Sequence, residues 1–145
     1  MGMNTAPDRD GPPRQLLVAI LLWWVVAAFL VVRVAGMWLD RAELPVRLVQ
    51  EGAASPEHAA QRAWELLTLN TAVQVFFVLV YCATTLLIRK RRPWARIVLS
   101  VCGLLHLVVT MSSGISNLPL AVGLVAALVL LWWPASGEWL TGEHD

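Results

Sequence analysis

Apolar positions along the chain gather into long runs divided by short charged islands. Leu16–Val32 carries no charge, and its apolar character continues past Arg33 to Leu39. Leu66–Ile88 carries none. Ile97–Trp133 carries none either and is too long for one crossing, since roughly 20 apolar residues span a hydrocarbon core of about 30 Å. It contains Ser112-Ser113-Gly114-Ile115-Ser116-Asn117-Leu118-Pro119. Gly past a helix end, Asn at a cap and Pro in a first turn predict a tight hairpin there. The pattern therefore predicts an all-α integral membrane protein, an antiparallel four-helix bundle. Its spans are expected at about 16–39, 66–88, 94–113 and 118–133, within one membrane domain over residues 15–134. The last span is short, about 24 Å at 1.5 Å per residue, and is expected to draw on Pro134–Leu140 or to thin the bilayer.

Between the first two spans lies an outer loop, residues 40–65. Leu44-Pro45 should end any extension of the first helix. Val46–Glu51 reads as a short amphipathic turn closed by Gly52. Ser55-Pro56-Glu57 carries the N-cap, N1 and first-turn preferences of a helix start, and no breaker follows before Ile88. Residues 1–14, with three Pro and both charge signs, read as a disordered tail. Residues 135–145 read as a loose, mildly acidic tail.

Charge placement sets the orientation. Arg89, Lys90, Arg91, Arg92 and Arg96 crowd the short loop between the second and third spans, and basic loops mark the cytoplasmic side. Both termini are then cytoplasmic, and Arg9 and Arg14 agree. Trp38 and Trp64 are expected at the outer interface; Trp94, Trp132 and Trp133 at the inner one. The first apolar run exceeds the usual signal-peptide core, so it is read as a retained anchor. The location expected is the plasma membrane, multi-pass. The basic cluster should also contact anionic lipids; it is too short to suggest nucleic-acid binding.

Composition agrees: the chain is 58% hydrophobic and 14% charged, against roughly 45–50% and 25% for a soluble domain. A one-domain soluble enzyme is excluded on this ground. No HExxH, CxxC, GxSxG or P-loop occurs, so no catalytic residue, metal ligand or cofactor is assigned. Cys82 and Cys102 fall at similar depths in neighbouring spans. They are read as free thiols packing as small apolar groups rather than as a disulfide.

The third span carries the most informative chemistry. Ser100, Gly103, His106, Thr110 and Ser113 recur at helical spacing as one polar, small-residue stripe. Gln74 and Tyr81 lie on a looser stripe of the second span, facing it. One reading is a pathway, with His106 as the titratable group deep in the membrane. The other is interhelical glue, with small residues allowing close approach and polar ones bonding across helices. No Asp or Glu lies in any span, which favours glue. Arg33, the only charge within a span besides Arg96 at the edge of the third, is read as a boundary residue snorkelling outward or pairing with Asp40 or Glu65. Gly123 and Ala127 mark a helix-packing face on the fourth span.

The run Arg91-Arg92-Pro93-Trp94-Ala95-Arg96-Ile97-Val98-Leu99 is similar to a basic Trp-Ala-Arg hairpin loop in small uncharacterised four-helix membrane proteins of actinobacteria. The resemblance implies a bacterial plasma membrane and no known activity. Small multidrug carriers need a Glu in the first span, and this chain has none there. Fluoride channels pair a Gly-rich motif with Phe residues in the third span, which here has no Phe. The function expected is a noncatalytic plasma-membrane accessory or scaffold protein. Its partners would be anionic lipids and either a membrane protein or a second copy. The alternative is a small transporter or channel subunit built on the His106 stripe.

Overall fold

The computed structural model describes residues 11–112 and 117–141 and is helical, with no strand among them. Helix α1 covers Arg14–Leu39, followed by a 3₁₀ turn at Asp40–Ala42 and by α2, Leu44–Gln50. Helix α3 covers Ala59–Arg89, α4 Pro93–Ser112, α5 Leu118–Leu131 and α6 Pro134–Thr141. Three stretches are long and apolar enough to cross a membrane: Arg14–Ala42, Ala59–Arg89 and Pro93–Ser112. A fourth exists if α5 and α6 count as one span bent by 57°. The expected tail at 1–10 and the centre of the hairpin after α4, Ser113 included, lie outside the described residues.

Each long helix sorts its side chains by face. On α1, Leu16, Ala19, Ile20, Trp23, Val26, Ala27 and Leu30 are buried, at alternating three- and four-residue steps. Leu21, Val25 and Val32 on the other side are exposed. Helices α3 and α4 sort the other way round from a water-soluble helix. Gln74, Thr84, Thr85, Ser100, His106 and Thr110 are buried, while Leu69, Leu79, Leu104, Leu105 and Val108 are exposed. Helix α1 packs on α3 and α5, α3 on α4, and α4 on α5, so the four helices close a ring. Trp23, Tyr81, Leu99, Leu124 and Leu131 fill its centre.

The loops follow local backbone chemistry. Gly52, at φ 69°, closes α2. Its N–H bonds Val49 O at 3.1 Å and Ala53 N–H bonds Leu48 O at 2.8 Å, the paired bonds of a Schellman motif. The α3–α4 turn repeats this geometry without a glycine. Arg91 N–H bonds Ile88 O at 2.9 Å and Arg92 N–H bonds Leu87 O at 3.1 Å, with Arg91 at φ 55°. An arginine is strained in that left-handed region, and Pro93 then opens α4 at once.

Two expectations need correction, and a third is refined. Helix α3 begins at Ala59, not at Ser55. Ser55 Oγ pairs with the His58 ring at 3.0 Å instead of capping a backbone N–H, and His58 N–H closes a separate turn onto Ser55 O. Residues 135–141 are not loose: α6 docks with Ser136 and Leu140 buried. Nor does α6 lengthen α5 in a straight line. Pro134 lacks the N–H that would continue the helix, and it pushes Trp133 out of helical geometry.

Candidate functional site

At one end of the ring, Trp38 and Trp64 join α1 to α3. Their rings meet edge to face at 5.7 Å, and Trp38 Nε1 donates to Thr71 Oγ1 at 3.0 Å. Nearby, Arg47 of α2 bonds Glu43 at 2.7 Å, and the carboxylate raises the guanidinium pKa further. The pair is exposed, so it contributes little to stability. Glu65, His58 and their neighbours do not form one cluster. Glu65 is engaged by Gln61 at 3.1 Å and by Arg62 at 3.3 Å, and His58 by Ser55.

Deeper in, the polar stripes of α3 and α4 meet. His106 is 2% exposed, and its Nδ1 lies 2.7 Å from the Tyr81 hydroxyl. Where this hydroxyl, fully buried and with no other partner among the described residues, is the donor, the tautomer follows. The neutral imidazole then carries its proton on Nε2. Phe77 stacks on the His106 ring at 4.2 Å and 9°. Trp23 lies 4.8 Å from the Tyr81 ring, bringing α1 into the cluster. Trp23 reaches that place because residue 103 has no side chain. A Cβ at Gly103 would stand 2.7 Å from Trp23 Cη2 and 3.2 Å from Leu128 Cδ2. Helical spacing places Gly103 on the stripe but does not point to Trp23 as its partner. The contact joins helices far apart in the chain and leaves no local signal.

The remaining stripe residues divide between two places. Gln74 and Thr110 line a cavity of about 210 Å³ with Arg33, Asn70 and His106. Gln74 Nε2 donates to Asn70 Oδ1 at 3.4 Å, while its Oε1 is buried without a partner. Arg33 also borders a second cavity of about 330 Å³, with Met37, Asp40 and Arg47. No ion pair of Arg33 with Asp40 or Glu65 forms among the described residues. Ser100 lies towards the other end of α4, where its Oγ accepts from Trp132 Nε1 at 2.7 Å and donates to Arg96 O at 2.8 Å.

The basic cluster splits in the same way. Arg89, Lys90 and Arg92 are exposed. The Arg96 guanidinium lies 4.1 Å from the Trp132 ring, and Arg91 lies 4.6 Å from Trp139. The first contact holds the end of α5, and the second ties α6 to the α3–α4 turn. Trp139→Ala is therefore expected to free α6 with a loss of about 1 kcal/mol. Limited proteolysis should then cut after Pro134 several times faster, with helix content almost unchanged. Gly123 and Ala127 are used within the chain: Ala127 is fully buried, and a Cβ at Gly123 would meet Val26 of α1 at an ordinary 3.7 Å. Cys82 and Cys102 are free and half-buried. No group of three or more His, Cys, Asp or Glu residues gathers among the described residues.

The chain matches no family model, no curated protein and no solved structure. The likeness of Arg91–Leu99 to actinobacterial proteins thus finds no counterpart in these comparisons, and function must be argued from the geometry.

Proposed function

We propose that the chain is a multi-pass protein of the plasma membrane, an antiparallel four-helix bundle with both termini on the cytoplasmic side. Its helices bury Gln, Thr, Ser and His and expose Leu, Val and Met. In water that arrangement would lay a large apolar surface open to solvent; in lipid it is the favoured one. The contacts Trp38–Thr71 and Trp23–Tyr81 run in opposite chain order along α1 and α3, which supports antiparallel packing. A reporter fused after Arg92 is expected to stay cytoplasmic and one placed within Gly52–Ser55 to be exported. The reverse pattern overturns the orientation.

Within the membrane the protein acts as a noncatalytic accessory or scaffold, packing against a membrane partner or a second copy. The observation that carries this reading is the bonding of His106. Its imidazole is stacked on Phe77, bonded to Tyr81 and backed by Trp23, all buried. The titratable group that a conducting path would use is thus engaged in packing. The exposed Arg89, Lys90 and Arg92 suit the anionic inner leaflet. Purification in mild detergent, followed by mass spectrometry, is expected to recover a stoichiometric membrane partner or a dimer. Recovery of the bare monomer alone overturns the scaffold role, and solute flux through liposomes carrying the pure protein would replace it with the channel reading.

A further inference from the structure

The polar cavity lined by Gln74 and Arg33 has one wall that the fold leaves unmet. Gln74 is 7% exposed, and its Oε1 is buried with no hydrogen-bond partner. Buried polar groups are nearly always bonded; Gln74 lines the cavity, and a turn of its amide would bring the orphaned oxygen to a donor held there. Arg33 lines the same cavity and forms no ion pair among the described residues. Thr110, Asn70 and His106 add further polar side chains to the lining. The site therefore offers one cation and several donors for an anion, and one acceptor for a hydroxyl. The rim is apolar: Leu69, Val73 and Val109 border the cavity and are exposed.

We infer that this cavity binds a phosphoester headgroup bearing a hydroxyl, with the phosphate on Arg33 and the hydroxyl donating to Gln74 Oε1. Guanidinium matches phosphate in charge and in forked geometry. The volume of about 210 Å³ equals about seven liquid-water volumes, room for a phosphoglycerol group of about ten non-hydrogen atoms. Two sources share this chemistry, a phosphatidylglycerol-type lipid and a soluble glycerol phosphate. The apolar rim favours the lipid, whose acyl chains would run over Leu69, Val73 and Val109. That source rests on the membrane reading above; the soluble one does not. The site is separate from the inner basic loop, which meets lipid through exposed side chains alone.

The test uses the full chain in phosphatidylcholine nanodiscs, with phosphatidylglycerol or soluble glycerol phosphate added and bound species counted by native mass spectrometry. One phosphatidylglycerol per chain is expected. Gln74→Leu and Arg33→Gln should each weaken binding about tenfold, the loss of one charge-assisted or buried hydrogen bond. Arg62→Gln, outside both the cavity and the basic loop, should leave it unchanged. Arg33→Lys keeps the charge and serves where Arg33→Gln does not fold; it should bind more weakly than the parent but measurably. Binding of glycerol phosphate with the same dependence on Arg33 and Gln74 assigns the site to a solute source. Binding indifferent to both residues, or lost only in Arg92→Gln, overturns the inference. Release of the chain from membranes by alkaline carbonate would instead overturn the membrane reading, so the two failures are distinguishable.

Discussion

Gly103→Leu is expected to prevent assembly of the bundle, and Gly103→Ala to lower its stability by about 1–3 kcal/mol. Even the smallest side chain would bring its Cβ within 2.7 Å of Trp23 Cη2. That atom is not the free end of a flexible chain. Trp23 is 1% exposed and held against Tyr81. Leu128, at 3.2 Å on the other side, closes the second escape. Trp23 would have to leave its place against Tyr81, disturbing the packing of α1 on α3 and α5. A suppressor follows from the same geometry. Trp23→Leu in the Gly103→Ala background removes the clashing ring and should recover part of the loss, while Trp23→Leu alone destabilises by opening a cavity. Thermal unfolding in detergent, followed by circular dichroism, reads all four chains. A Gly103→Ala protein as stable as the parent would show that Trp23 does not occupy this place.

The second large effect is expected at His106. His106→Ala should cost about 3 kcal/mol, by removing a stacked ring and leaving the buried Tyr81 hydroxyl unpartnered. Tyr81→Phe should cost about 1 kcal/mol, since it leaves Nδ1 without its donor. Replacing both by phenylalanine keeps two rings in place and removes the polar pair together. Such an exchange is often nearly neutral, so the double variant should be more stable than His106→Ala. Interhelical hydrogen bonds in membranes are individually modest, about 0.6 kcal/mol on average, and most of the His106 effect is therefore packing. The scaffold reading expects these variants to melt earlier without changing solute flux. A variant that melts normally yet alters flux would make His106 part of a pathway.

The helices themselves were readable as charge-free runs, because a membrane-scale apolar stretch admits few other structures. Helical spacing likewise put Ser100, Gly103, His106 and Thr110 on one face. What the spacing left open was the choice of partner across the interface. Tyr81 could be placed opposite the stripe, but the Trp23–Gly103 contact joins helices with no sequence relation between them. The α6 clasp was missed for a similar reason. A short segment that opens on Pro134 and contains Gly137 has weak helix propensity, and it is held by Arg91 of the α3–α4 turn reaching Trp139. The turn at Arg91 was hidden because αL positions are usually marked by glycine. At Ser55 a strong cap signal lost to a local side-chain contact with His58.

The ring order of the helices has a consequence for how the molecule is made. Helix α1 lies between α3 and α5, and α5 is the last of the four to be synthesised. The first helix therefore waits with one flank uncovered until nearly the whole chain has emerged. During that interval its Val26 and Ala27 flank, later sealed by α5, is open to lipid, to a chaperone or to a neighbouring chain. A ribosome stalled before residue 118 would hold a three-helix intermediate with an open seam. Supplying α5 and α6 as a separate peptide should close it, since no covalent link is needed where α1 and α5 already lie side by side.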